Sequence, residues 1–410
     1  MTESAQSLDL SDTLAPMREE FLLPEDVVYL DGNSLGPLTR ASKTAIDRVV
    51  SKQWGDDLIS SWNRHGWIDL PERVGEKIAP LIGAAPGQVL CVDSISINLF
   101  KLLSAALALR PGRSTILLTE NDFPTDGYVA EGLASLIGGD RCRLRRVSPA
   151  SLTDALDEDV AVLMLTQVNY RTGELYSMEA LTRAAHEAGA LVLWDLAHSA
   201  GALPISLDAC AADLAVGCGY KYLNGGPGSP AFVYVNQNHQ AAIRQPLSGW
   251  LGHRSPFDFS PSYEPAAGVL QFQAGTPPII SLASLDAALD MFAAVDLESL
   301  REKSLALTSY FMERLSSVES LRDLRVLTPQ DAGSRGSQVS VAHPQAWGIS
   351  QALIEAGIIV DFRAPNIVRF GFAPLYNSFS DAQAALKELA SIFESGRHED
   401  SKFQQRPKVT

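Results

Sequence analysis

Two apolar runs end in residues that could do chemistry together. The run 191–194 ends in Asp195-Leu196-Ala197-His198, and the run 213–218 ends in Gly219-Tyr220-Lys221-Tyr222-Leu223-Asn224-Gly225-Gly226-Pro227-Gly228. Asp195 and Lys221 lie 26 positions apart, about one strand-helix-strand crossover, which can return both side chains to the same edge of a parallel sheet. A buried lysine sheds its proton readily and can form an imine with a carbonyl, whereas a buried carboxylate needs a cationic partner such as a protonated pyridine nitrogen. Pyridoxal phosphate meets both needs. Its phosphate wants backbone donors at a helix N-terminus, and Ser94-Ile95-Ser96, between an apolar run and a helical stretch, offers them. Its ring wants an aromatic cover, and Phe123 in the loop Asn121-Asp122-Phe123-Pro124-Thr125-Asp126 can provide one.

Each residue taken singly has a plainer explanation. An aspartate at a strand end is usually a helix cap, a single histidine such as His198 usually a satisfied core residue, and Ser94 and Ser96 ordinary N-caps. Lys221 would by default be solvated, but Tyr-Lys-Tyr beside a glycine-rich turn is poor surface composition. That turn lacks the Lys-Ser/Thr ending of a nucleotide P-loop. It is the joint occurrence, in this order, that favours the cofactor.

The elements needed to position these residues are legible. Short branched apolar runs at 89–92, 115–119, 160–165, 190–194, 214–218 and 232–235 read as buried strands. Stretches with helical spacing, such as 98–110 and 178–188, separate most of them, the alternation of a largely parallel sheet covered on both faces. The fold class is α/β. An α/β core is expected at 51–290, preceded by an arm over 1–50 that packs with a smaller α+β domain at 291–410. One or two amphipathic helices at 284–317 would link them. The smaller domain would hold strands at 324–327, 338–341, 358–362 and 367–372 and helices at 349–356 and 381–393. Residues 1–20 and 396–410 read as polar tails.

The chain of 410 residues carries 48 acidic and 33 basic side chains, a net charge of −15 that disfavours nucleic acid as a partner. The polar N-terminus has no export signal, and the charge-free stretch 265–285 holds three prolines and two glutamines, unsuited to spanning a bilayer. The four cysteines, Cys91, Cys142, Cys210 and Cys218, form no CxxC pair, which fits a reducing cytoplasm and no bound metal.

At this point the sequence resembles kynureninase, a pyridoxal-phosphate enzyme of the aspartate aminotransferase fold (fold type I). The likeness runs from Tyr29-Leu30-Asp31-Gly32-Asn33-Ser34-Leu35-Gly36 through Ser96-Ile97-Asn98-Leu99-Phe100-Lys101, Phe123-Pro124-Thr125-Asp126 and Trp194-Asp195-Leu196-Ala197-His198. It continues through Tyr220-Lys221-Tyr222-Leu223-Asn224-Gly225-Gly226-Pro227-Gly228 and Pro246-Leu247-Ser248-Gly249-Trp250 to Arg369-Phe370-Gly371-Phe372. The Asn-Gly-Gly-Pro-Gly and Ser-Gly-Trp runs are the specific ones. The resemblance implies a large domain with a mostly parallel seven-stranded sheet and hydrolysis of L-kynurenine to anthranilate and L-alanine. Lys221 would form the imine and remove the α proton, Asp195 would hold the pyridine nitrogen, and Phe123 would stack on the ring. Ile95, through its amide, with Ser96 and Tyr220 would bind phosphate, with Asp126, Thr166 and His198 around the cofactor. Trp250 and Thr276 would reach across from the second subunit of a homodimer. Arg369 would take the substrate α-carboxylate, with Asn33 and Ser34 nearby, while Trp62 and Thr276 would line the aryl pocket. Tyr220 is a candidate acid and base in the later steps.

Ile95 and Gly219 stand where relatives can carry threonine, and Pro277-Pro278 could reshape the Thr276 loop. Rival readings share the scaffold. A cysteine desulfurase or selenocysteine lyase needs a nucleophilic cysteine in the later domain, yet the last is Cys218. An aminotransferase would leave an amine-form cofactor. A non-enzymatic module would be colourless.

Overall fold

The computed structural model describes residues 4–404. In chain order its strands are β1 (Val28–Tyr29), β2 (Val89–Cys91), β3 (Thr115–Thr119), β4 (Arg143–Val147), β5 (Val160–Thr166), β6 (Leu191–Asp195), β7 (Leu214–Cys218), β8 (Ala231–Val235), β9 (Arg325–Val326), β10 (Gln338–Ala342), β11 (Ile358–Ile359), β12 (Asp361–Arg363) and β13 (Ile367–Gly371). A seven-stranded sheet in the order β2-β8-β7-β6-β5-β3-β4 dominates, with β8 antiparallel to both neighbours and the remaining pairs parallel. β5, β6 and β7 are buried along their whole length, which is why they read as continuous apolar runs rather than alternating ones. Burying each such Val, Leu or Ile is worth about 1.5–3 kcal/mol, so these central strands contribute heavily to the stability of the sheet.

The strand β4 is absent from the sequence reading. Its residues Arg-Leu-Arg-Arg-Val form an edge beside β3, half exposed, where the arginines pair with Asp157, Asp159 and Glu131 instead of filling a core.

Residues 284–317 resolve into parts of two helices, Ile279–Leu289 and Leu297–Ser317. Beyond them β12-β13-β10-β9 form an antiparallel sheet covered by the helices Ala346–Glu355 and Phe379–Ser395. The expected strand at 358–362 is two. β11 leaves this sheet to pair with β1 near the N-terminus, and β12 stays.

The N-terminal residues are not a tail from residue 5 onward. Ala5–Ser11 is helical, and the Asp9 carboxylate accepts from the Phe379 and Ser380 amides at 2.7 and 3.1 Å, capping the last long helix. Lys303 and Asp12 form a buried pair at 2.7 Å, and Arg18 reaches Asp381 at 2.7 Å. The polarity that suggested solvation serves caps and ion pairs. His398 is likewise buried within the expected C-terminal tail. Residues 405–410 lie outside the described part.

Candidate active site

The register of the large sheet sets the site. Thr166 pairs with Asp195 at the carboxyl ends of β5 and β6, and β7 ends at Cys218, three residues before Lys221. The chain can pack this closely here because position 219 is glycine: a Cβ would stand 2.4 Å from the Ser229 hydroxyl oxygen and 2.6 Å from Leu285. Ile95, Ser96, Phe123, Thr166, Asp195, His198, Tyr220 and Lys221 line one cavity of about 190 Å³, together with Tyr170 and Ser229. Asp195 and Lys221 therefore face the same space.

Within it, Lys221 Nζ lies 3.0 Å from His198 Nε2. Burial, helped by Lys221 and by two arginines, Arg369 and Arg363, pushes the His198 pKa well below its ordinary value, so the ring is neutral. Asp195 is 4 % exposed, and its Oδ1 accepts from the Ala197 amide at 2.8 Å. Burial raises its pKa and Lys221 opposes the rise. A cationic ring nitrogen would relieve this buried acid.

Behind it, both Asp126 carboxyl oxygens are buried without a hydrogen-bond partner, and burial with Asp195 and Asp122 raises this pKa far above the usual range. The buried Ser229 hydroxyl also has no partner. Burial lifts Asp122 to about 6, although it accepts from the Thr119 and Thr166 amides and so ties β3 to β5.

The expected phosphate cradle is the first turn of a helix. It begins at Ile95 rather than 98, with Ser94 as cap receiving the Ile97 amide at 3.4 Å. The Ile95 and Ser96 amides thus have no intrahelical acceptor. Phe123 is 43 % exposed and packs edge-on against Tyr170 at 5.1 Å. These features fit pyridoxal phosphate: free amides for phosphate, a buried acid for the ring nitrogen and an amine for the aldehyde.

Arg369, 1 % exposed, sits deeper. Its Nε donates to Asp361 Oδ1 at 2.7 Å, Nη2 contacts Asp361 Oδ2 and donates to the Ser34 hydroxyl at 3.0 Å, and Nη1 donates to the Tyr170 carbonyl at 2.7 Å. Asn33, fully buried, donates through Nδ2 to Gln338 Oε1 at 3.2 Å, and Gln338 Nε2 donates to the same Tyr170 carbonyl at 3.0 Å. The sequence reading passed over Asp361, Arg363, Gln338 and Tyr170. Asp361 inside the apolar run 358–362 and Gln338 at the head of the run 338–341 were the available signals, and Arg363, just past the first run, gave none of that kind. Tyr170 gave none.

Three expected site residues lie elsewhere within one chain. Trp62 and Trp250 share a separate cavity of about 570 Å³ with Asn63 and Phe257, and Thr276 is exposed on its loop. Trp250 packs edge-on against Phe257 at 5.7 Å and is 42 % exposed. Among the described residues no helix is long and apolar enough to cross a membrane.

A family model described as the kynureninase C-terminal domain matches residues 300–389. Kynureninase from Burkholderia pseudomallei strain 1106a is 49 % identical over 413 residues, covering 100 % of this chain and 99 % of that protein. Kynureninase from Pseudomonas fluorescens is 49 % identical over 409 residues, covering 98 % of each. Among solved structures, a cysteine desulfurase from Thermococcus onnurineus NA1 superposes with a TM-score of 0.79 at 20 % identity, covering 93 % of this chain and 98 % of that one. A C-DES mutant with glycine covalently linked to its PLP cofactor gives 0.78 at 19 %, covering 91 % and 98 %. At such identities these structures speak for the fold alone.

Proposed function

The chain belongs to the kynureninase family, a pyridoxal-phosphate hydrolase that cleaves the β,γ carbon-carbon bond of L-kynurenine to anthranilate and L-alanine, and from that premise we propose which of its residues do the work. The observation that carries the assignment is the cavity that brings Lys221, His198 and buried Asp195 together beside a helix N-terminus. When bound, pyridoxal phosphate supplies the electron sink that lets the α proton and then the β,γ bond electrons depart.

Lys221 would hold the cofactor through its aldehyde, and its amine, once freed, would take the α proton of the substrate. Neutral His198, 3.0 Å away, can accept a hydrogen bond from the resulting ammonium and keep the proton local. Asp195 would hold the ring nitrogen, with Asp126 and Thr166 beside it. Ile95, Ser96 and Tyr220 would take the phosphate, and Phe123 would cover the ring. Cys218, burial and Asp195 together raise the Tyr220 pKa, so its phenol is protonated and can give a proton in the steps where water adds to the γ ketone. A Tyr220→Phe enzyme with unchanged turnover would remove that role.

Arg369 receives the α-carboxylate with Ser34 and Asn33 beside it, its orientation fixed in advance by Asp361. The protein works as a cytoplasmic homodimer, a reading supported by four free cysteines and by the apolar lip formed by Trp250 and Phe257. Trp250 and Thr276 would then complete the second subunit's site, with Trp62 on the aryl side. The chain divides at about residues 50 and 290. The bulky, weakly polar Trp62 favours kynurenine over 3-hydroxykynurenine, which fails if kcat/KM is greater for the latter. The decisive experiment mixes the protein with L-kynurenine and follows anthranilate fluorescence, with Lys221→Ala as control. No fluorescence from the unmodified enzyme overturns the assignment.

A further inference from the structure

Lys101 lies within the helix that begins at the phosphate cradle, 0 % exposed, and the reaction above makes no use of it. A buried ammonium must spend its three donors on the protein. Lys101 does so on two segments: its Nζ contacts the Asp93 carboxylate and the Phe272 carbonyl.

Both segments border the site. Asp93 immediately precedes the Ser94 cap, has φ +51°, and accepts the Ala231 amide through its carbonyl at 2.9 Å, so it is the bend that delivers β2 into the cradle. Phe272, fully buried, ends the short turn Gly268–Phe272, four residues before Thr276. The Thr276 segment is in turn stapled to the Trp250 segment. Gln245 Nε2 donates to the Gln271 and Leu247 carbonyls at 3.0 and 2.9 Å, and Gly249 lies so close that a Cβ there would stand 1.7 Å from the Ala274 carbonyl oxygen. Burial pulls the Lys101 pKa down and the Asp93 carboxylate opposes that pull.

We propose that Lys101 is a positioning residue that fixes the phosphate cradle and the Trp250–Thr276 segment to one another, so that cofactor retention and the subunit-facing loop are set by one buried cation. The inference rests on the cofactor reading above. The cradle and the loop come from segments some 180 positions apart, and this ammonium bridges Asp93 to Phe272 across the helix. Without it the cradle amides would lose their orientation and the loop its anchor.

The test uses the full-length holoenzyme, Lys101→Met and Asp93→Asn, the latter tolerated at positive φ. The readouts are the pyridoxal phosphate dissociation constant from cofactor absorbance, the dimer dissociation constant from sedimentation, and melting temperatures with and without cofactor. Lys101→Met is expected to weaken cofactor binding about tenfold, the equivalent of one charge-assisted hydrogen bond. It should also weaken the dimer and narrow the gap between melting temperatures with and without cofactor. Asp93→Asn keeps the Phe272 contact and should weaken cofactor binding while sparing the dimer. A Lys101→Met protein that melts lower in both forms by the same amount, with unchanged cofactor affinity, has lost only a strut and overturns the proposal. If that variant does not accumulate folded, Asp93→Asn decides, and unchanged cofactor affinity there overturns it. Absence of cofactor absorbance in the unmodified enzyme would instead refute the cofactor reading itself.

Discussion

Replacing Asp361 by asparagine tests how Arg369, the proposed seat of the substrate α-carboxylate, is held. Asp361 and Arg369 are each 1 % exposed and meet edge to edge, and Arg363 joins Asp361 Oδ2 at 2.7 Å. Burial alone would raise the Asp361 pKa, but Arg369 and Arg363 hold it below the ordinary value. Removing one partner of a buried pair costs about 3–5 kcal/mol, because the remaining charge is left uncompensated. Here Asp31 softens the loss. Burial and repulsion from Asp361 push its carboxyl up to about 7, so near neutral pH about half of it carries a proton beside Asp361. Asparagine at 361 removes the repulsion and lets Asp31 ionise towards the arginines. We therefore expect the low end, about 3 kcal/mol, from urea unfolding followed by circular dichroism. KM for L-kynurenine should rise about tenfold, the cost of an arginine no longer held in register, with kcat within about threefold. The double variant Asp31→Asn, Asp361→Asn has no carboxylate left to take over and should exceed the sum of the singles by about 1 kcal/mol. An unchanged KM in Asp361→Asn, or simple additivity in the double variant, would refute this account.

Asp31 by itself makes a pH prediction. Its folded pKa lies above the ordinary value, so the folded state binds the extra proton and stability falls as pH rises from about 4 to about 7. Asp31→Asn should flatten that part of the stability profile. A second pH dependence comes from Asp213, where burial alone would raise the pKa but hydrogen bonds from His186 at 2.8 Å and His239 at 2.6 Å hold it below normal, while Asp213 raises that of His186. The carboxylate's contribution is lost as pH falls through its depressed pKa. The His186 contribution is present below about 6.5 and lost as pH rises through the higher folded value. The stability gap between the unmodified protein and Asp213→Asn should therefore be widest at mildly acidic pH and shrink above it. Gly249→Ala places a methyl 1.7 Å from the Ala274 carbonyl oxygen and should disorder the Trp250 segment, seen as a drop in sedimentation coefficient at working concentration. A variant that sediments unchanged would remove Gly249 from that role.

Lys221, Asp195, His198 and the Ser94 cap were legible in the sequence because each sits at the end of a run whose periodicity declares it a buried strand or a helix start, and strand ends in a parallel sheet share an edge. The seven strands of the large sheet were less evenly readable. The six apolar ones stood out, while β4 did not, since an edge strand can spend its side chains on arginine-carboxylate pairs. Helix starts were read about three residues late at the cradle, because Ser94, Ile95 and Ser96 carry no apolar period of their own.

What the chain by itself determined is thus the local chemistry and the scaffold: an amine and an acid on neighbouring strand ends beside a helix N-terminus, all within one stretch of alternating strands and helices. Only the tertiary structure decided which distant groups hold that chemistry in place. Asp361 under Arg369, Gln338 against the Tyr170 carbonyl, and Lys101 between Asp93 and Phe272 are polar side chains within otherwise apolar elements. Their partners lie 8 to 171 positions away. A buried polar group must find a partner, but the sequence leaves that partner's identity open until folding brings two segments face to face.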